Sequence, residues 1–416
     1  MMRGLDKVLQ TMPAIVAFCM VLKPRWSTLP LAVWFLVVVG VELTRAIQGN
    51  RGWEPKPLPV AFRWFATGSI AIYALMMMGL AWTENEVAGW FALEVKFSLL
   101  LIPLLMLYHW HRHGAKGLTA VSRALAAGLI LFMAWRILLA CVSGDAQLWR
   151  YAGLAGPFHP TYMGLYLVLM PLLLRAQTKG YGLILIITGV FVGLLASKAA
   201  WIVAGLLWGS MLVVRATRRG ARFWGIGAAL VSMCLGGWMG DGGRWSEFTQ
   251  YVSTEVLSTE ESHAGEAVEP YAPKHKPVKT GSSAGRMQAW NASVEVLFNS
   301  PFGVGTGDVT DALCEVYEQK GSSYALRKRM NPHSAWLQLG VSHGWGGAAL
   351  MLLWWFGTAA FAYRFRNPLL LTWITALILH GSIESLLELQ QGIVPTVLLG
   401  CVFALSGSPR SQHQEN

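Results

Sequence analysis

Long apolar runs separated by short polar ones fill the chain up to about residue 239, and the pattern resumes from about 346 to 406. A run of roughly 18 or more apolar residues can cross a bilayer as a helix. About twelve such spans are predicted, near 8–22, 28–46, 66–82, 87–109, 119–142, 159–175, 181–196, 199–215, 223–239, 346–363, 368–383 and 389–406. The alternating ten-residue segments of a membrane β-barrel are missing. The expectation is an all-α polytopic membrane protein. Between the ninth and tenth spans the pattern changes, and residues 240–345 make up its one long polar stretch. Residues 253–283 there are rich in Ser, Thr, Glu, Lys and Pro, the composition of a mobile arm.

Apolar periodicity returns after the arm. Ser282 or Ser283 can cap a helix with Met287, Trp290, Val294 and Leu297 on one face, stopped by Pro301. Gly303, Gly305 and Gly307 predict a turn, and Asp308 can cap a second helix through Tyr317. A third, short helix is expected to begin at His333, with Trp336, Leu337 and Val341 apolar. Such amphipathic helices would lie along the membrane surface. The expected organisation is transmembrane helices one to nine in 1–239, an outward loop in 240–345, and helices ten to twelve with a tail in 346–416.

Charge supplies the orientation. One alternate set of loops carries Arg45, Arg51, Lys56 and Arg63, then Arg112, Lys116 and Arg123, then Arg175 and Lys179, then Arg215, Arg218, Arg219 and Arg222, then Arg364 and Arg366. The intervening short loops are poorer in Lys and Arg, with Lys23 and Arg25 as exceptions, and one is the acidic Thr83-Glu84-Asn85-Glu86. Positive-inside bias places the first set and both termini in the cytoplasm and loop 240–345 outside. Of the 416 residues, 54% are hydrophobic and 13% charged, about half the charged share of a soluble protein. The net charge of +11 is therefore read as topology, and no nucleic-acid partner is expected. The 20 Trp and 11 Tyr suit the two membrane interfaces. The first apolar run lacks a small-residue cleavage site and is expected to be retained. None of the five Cys is spaced as a metal clip or redox pair, so no disulfide framework is expected.

Several charges fall where hydrocarbon should be. Glu94 and Lys96 sit in the fourth span, Arg136 in the outer half of the fifth, and Lys198 at the outward start of the eighth. A charge at mid-bilayer costs roughly 3 kcal/mol even on the lenient scale, so it needs a partner or a polar cavity. Two readings stay open. Glu94 neutralises Lys96 or Arg136 while Lys198 snorkels to the interface. Alternatively, Lys198 and Arg136 join Arg150 and Arg286 in a basic pocket that grips the phosphates of a lipid carrier, a task suited to the planar guanidinium fork. His380, Glu384 and Glu388 recur every four residues and would share a helix face, as a capping network or a sugar-binding wall. The two-residue spacing of His109, His111 and His113 spreads them over different faces, so a metal site is not expected. His333 follows Asn331-Pro332. At a helix start its ring would meet free amides that favour an anion and disfavour an extra proton, which suits a proton acceptor as well as a structural histidine.

The pattern Ser283-x-x-Arg286-x-x-x-Trp290, Pro301-x-Gly303-x-Gly305, His333-Ser334-x-x-Leu337 and Gly344-x-Gly346 resembles the signature loop of the O-antigen ligase family. That superfamily includes O-antigen polymerases and bacterial O-oligosaccharyltransferases. Ala155-Gly156-Pro157-Phe158-His159-Pro160 is similar to the motif opening a mid-chain span of that family, and Ser197-Lys198 stands where Ser-Arg is common. Ser334 stands where many members have Asn. The resemblance implies a GT-C-like glycosyltransferase in the bacterial inner membrane, with its site facing the periplasm. It implies a donor glycan on undecaprenyl pyrophosphate and a sugar hydroxyl of lipid A–core as acceptor. His333 would be the general base of an inverting transfer, and Arg286 and Lys198 would hold the pyrophosphate. Arg136 and Arg150 join them only by the pocket argument. No Asp-x-Asp occurs in the outward segments, so neither a metal nor another cofactor is expected. A polymerase, a protein O-oligosaccharyltransferase and, from another class, a lipid-linked glycan flippase are the alternatives.

Overall fold

The computed structural model describes residues 2–49, 56–174, 177–215, 220–240 and 282–407. Residues 253–281 of the arm expected at 253–283, the loop arginines Arg51, Arg175, Arg218 and Arg219, and the tail beyond residue 407 lie outside the described residues, whereas Ser282 and Ser283 open a helix. Every apolar run falls on helix, and no strand occurs among the described residues. Pro24–Ile47, Val60–Trp82, Glu86–His113, Leu118–Ser143 and Ala335–Arg364 are long and apolar enough to cross a membrane. Shorter apolar helices cover Pro160–Leu173, Tyr181–Leu194, Lys198–Val214, Pro368–Gly381 and Gln390–Ser406. The chain is a helical, multi-pass membrane protein. Its packing fits that solvent: Trp34, Trp208, Trp354 and Trp373 are fully buried between helices, while Leu36, Leu131, Leu206 and Leu353 face outward. In water such outward leucines would be a liability, whereas in lipid they cost nothing.

A small cap sits beside this body. It comprises α1 (Ser282–Asn299), α2 (Val309–Gln319) and α3 (Ser323–Lys328). Ala289, Ala292, Val296, Leu313, Val316, Tyr317 and Ala325 bury against one another as a core separate from the main one. The cap therefore holds its shape through its own apolar contacts.

The long helix Ala335–Arg364 corrects one expectation. No separate short helix begins at His333: the helix starts at Ala335, breaks at His343 and Gly344, and continues. The break has a partner. Val304 N–H donates to Val341 O (3.0 Å), Gly305 N–H to Ser342 O (2.9 Å), and Trp345 N–H to Pro301 O (3.1 Å). The 301–305 turn thus takes over carbonyls and an amide that the interrupted helix leaves over. Gly344 adopts φ +66°, and a side chain there would run into the Pro301 carbonyl. Hence Gly303, Gly305 and Gly344 of the two glycine motifs serve a joint between cap and membrane helix. The turn also reaches the body, where Thr306 Oγ1 donates to Met76 O (2.6 Å).

Asp308 precedes α2 but does not cap it with its side chain. Its carboxylate accepts from Glu84 N (3.0 Å) and Asn85 N (2.7 Å) at the start of Glu86–Lys96, pinning the cap to the acidic loop. His380 ends Pro368–Gly381, so Glu384 and Glu388 lie past the helix and the three share no helical face.

Candidate active site

A cleft of about 370 Å³ opens between cap and body. Lys198, Arg286, Lys328, Arg329, His159 and His333 are among its lining residues, and among the described residues no carboxylate lines it. Four of the motifs singled out in the sequence deliver Lys198, His159, Arg286 and His333 to it.

Lys198 is the first residue of the helix Lys198–Arg215, and the Ser197 hydroxyl accepts from Ala200 N (3.4 Å) at that terminus. A cation at the positive end of a helix opposes the helix dipole, so the placement makes sense when an anion lies over both. His159 caps Pro160–Leu167, whose proline supplies the fixed φ that a helix start accepts. Arg286 lies in the first turns of α1. The preceding Gly285 lets that helix approach closely, since a Cβ there would meet the Tyr324 ring at 2.8 Å and Met330 Sδ at 2.9 Å. One turn on, Trp290 Nε1 donates to His333 O (3.4 Å), so the tryptophan of the same motif grips the histidine segment.

His333 is held by a turn and not by a helix start. Asn331 Oδ1 accepts from His333 N (3.0 Å) and from Ser385 Oγ (3.3 Å). The asparagine thereby mimics a main-chain turn, with His333 at φ +45° and Ser334 as N-cap of the helix that follows. Among the described residues, five non-glycine residues have positive φ, and four of them, Tyr151, Ala196, Arg329 and His333, line this cleft. Each left-handed residue costs about 1 kcal/mol or more, and such outliers collect where geometry serves a site.

Glu384 joins the two central groups. His333 Nδ1 lies 3.4 Å from Oε1, and Arg286 Nη2 lies 3.3 Å from Oε2. The His333 contact falls short of a well-formed hydrogen bond. Burial alone would raise the Glu384 carboxyl pKa, but the facing His333 and Arg286, with His380, outweigh it and hold the value down to about 2. The carboxylate is thus ionised at neutral pH. Its loop is tied to the body by Lys96 Nζ to Glu388 Oε2 (2.8 Å), Gln390 Nε2 to Val95 O (2.8 Å) and Tyr162 Oη to Ser385 O (3.3 Å). Lys96 is therefore neutralised by Glu388, and Glu94 lies exposed.

Arg136 and Arg150 do not line the cleft. Arg136 is buried and donates from Nε to Leu154 O (3.1 Å) and from Nη2 to Gly153 O. These carbonyls belong to the helix Tyr151–Ala155, whose negative end suits a cation. Arg150 is exposed and caps the same helix through its backbone. His109 and His111 make separate contacts with Lys116 O and Lys56 N. Among the described residues, no three His, Cys, Asp or Glu side chains cluster as a metal site.

The arrangement can hold an anion of two or more charges against a histidine whose second ring nitrogen is turned away from its carboxylate partner. Residues 183–352 match the family model described as O-antigen ligase. The match takes in Lys198, Arg286 and His333 and stops short of Glu384. No curated protein matches the chain.

Proposed function

We propose that this chain, assigned to the O-antigen ligase family through residues 183–352, transfers a glycan from undecaprenyl pyrophosphate to a sugar hydroxyl of lipid A–core. The observation that carries this reading is the meeting of His333 and Arg286 on one buried carboxylate at the wall of a cationic cleft. Nδ1 of His333 faces Glu384, leaving Nε2 to take the proton of the acceptor hydroxyl. Glu384 stabilises the imidazolium that results, as the carboxylate of a catalytic triad does. The acceptor oxygen attacks the anomeric carbon, and the bond from that carbon to the pyrophosphate oxygen breaks. Arg286 and Lys198 hold the departing pyrophosphate and stabilise the charge it gains. Attack opposite the leaving group inverts the anomeric centre. The donor's own pyrophosphate linkage supplies the energy, and these cations fill the place a metal would take.

In this reading the twelve apolar runs are crossings of the inner membrane in a GT-C-like arrangement, and the cleft faces the periplasm. The test is transfer from radiolabelled undecaprenyl-pyrophosphate glycan to purified lipid A–core by the reconstituted protein. His333→Ala should bind donor as wild type does while turnover falls by about 10²–10⁴-fold. Near-wild-type turnover would remove the histidine from the chemistry. Extension of carrier-linked repeats with no transfer to core would make the chain a polymerase, and translocation without transfer would make it a flippase.

A further inference from the structure

Arg329 lines the cationic cleft yet spends its guanidinium on Asp311, with Nη2 2.6 Å from Oδ1. Asp311 lines a second cleft, beside Trp82, Glu84, Asn85, Asp308 and Glu315. The pair is unlike the others around the site. Its side chains are 60% and 45% exposed, against 26% and 10% for Arg286–Glu384. An exposed pair of this kind is held weakly and is easily exchanged.

The backbone beneath Arg329, by contrast, is fixed. Arg329 ends α3 at φ +44°, with its N–H on Leu326 O and the Met330 N–H on Ala325 O, both at 3.0 Å. Tyr317 Oη donates to Met330 O (3.0 Å), and Met330 packs where Gly285 clears space beside Arg286. A left-handed arginine anchored to the Arg286 helix keeps its long side chain at the cleft while the head group can change partner. Asp311 would not be stranded by that change, because Asn85 Nδ2 also donates to it (3.0 Å).

We propose that Arg329 is a donor-binding residue that exchanges Asp311 for the pyrophosphate when the donor enters, so that Asp311 is an internal competitor of the substrate. This deepens the ligase reading and rests on it. A diphosphate diester carries two charges and several acceptor oxygens against the single charge of the carboxylate. A guanidinium binds such oxygens in pairs, so the exchange runs toward the phosphate. Arg329 then adds a third cation beside Arg286 and Lys198.

Competition has a signature that a structural ion pair lacks, because the two partners' substitutions act in opposite directions. The full-length protein in nanodiscs is titrated with farnesyl pyrophosphate, and Kd is read for wild type, Arg286→Gln, Asp311→Asn, Arg329→Gln and the double variant. Asp311→Asn should bind about two- to five-fold more tightly, the scale of an exposed pair released. Arg329→Gln should bind about ten-fold more weakly, and Asp311→Asn should have no effect in that background. Melting curves identify any variant that has lost its fold, and Asp311→Ser then replaces the asparagine. If Arg286→Gln weakens binding but Asp311→Asn does not tighten it, the exchange is overturned and the ligase reading stands. If Arg286→Gln leaves Kd unchanged, the donor-site assignment itself fails.

Discussion

The two clefts beside the cap differ in charge, in size and in what their side chains are doing. The one holding His333, about 370 Å³, has Lys198, Arg286, Lys328 and Arg329 in its wall and no carboxylate among the described residues, whereas the other, about 640 Å³, has Glu84, Asp308, Asp311 and Glu315. The larger cleft is the better candidate by volume alone. Its central carboxylates, however, serve the architecture. Asp308 takes the Glu84 and Asn85 amides, and Asp311 takes the Asn85 side chain and Arg329. In the smaller cleft the polypeptide adopts four left-handed non-glycine residues and gathers like charges. Neither feature helps folding, and both suit an anionic ligand. On the proposed reading, strain and concentrated charge of one sign, and not volume, distinguish the cleft that works from the one that braces.

The sharpest way to break that contrast is to remove the buried carboxylate that organises the cationic side. Glu384→Gln should lower turnover by about 10²-fold through a misaligned imidazole and guanidinium, with a smaller change in donor Kd. Glu384→Asp should recover part of the loss, which a merely destabilised protein would not show. The same variant has a pH signature. The folded value near 2 lies below the ordinary 4.5, so the stabilisation is complete above about pH 4.5 and is lost as pH falls toward 2. At most about 3 kcal/mol is at stake. Wild type should therefore lose melting temperature between pH 5 and 3 more steeply than Glu384→Gln. Parallel curves would show that Glu384 does not gain its charge stabilisation in this fold.

Glu384 also marks where the sequence stops being readable. The apolar period reveals the helices, and the motif glycines reveal turns whose partner, the break at Gly344, is 43 residues away from Pro301 and still within one motif set. Lys198, Arg286 and His333 stand out as polar side chains in or beside oily segments. Glu384 looked like one rung of a four-residue ladder with His380 and Glu388, but the helix ends at Gly381 and the period loses its meaning there. Its partner Arg286 is 98 residues distant, and nothing local encodes that contact. Arg136 misled for a related reason. It is satisfied by the carbonyls of Gly153 and Leu154, and main-chain acceptors leave no trace in residue type. Asn331-Pro332 suggested a helix start, whereas the asparagine oxygen captured the His333 amide and delayed the helix to Ala335.

A smaller effect sharpens the cationic side. Lys198 opens a helix, where on the proposed reading a point charge rather than a fork would meet the pyrophosphate. Lys198→Gln should weaken farnesyl pyrophosphate binding by about ten-fold, and Lys198→Arg should restore it. Equal losses in both variants would show that shape at this position matters more than charge.

The smallest expected effect tests the acidic side. Glu315 lines the larger cleft, and surface charges are screened over about 8 Å at physiological ionic strength. Glu315→Gln should therefore change donor Kd, acceptor KM and turnover by less than about two-fold. The informative departure is a selective rise in acceptor KM with donor binding unchanged. Carboxylates beside Trp82 could then be gripping acceptor sugar hydroxyls, and the acidic cleft would hold a second substrate instead of serving as a brace. A null result in all three constants leaves its carboxylates as the fastening between the cap and loop 83–86, with Asp311 alone reaching, through Arg329, toward the proposed donor site.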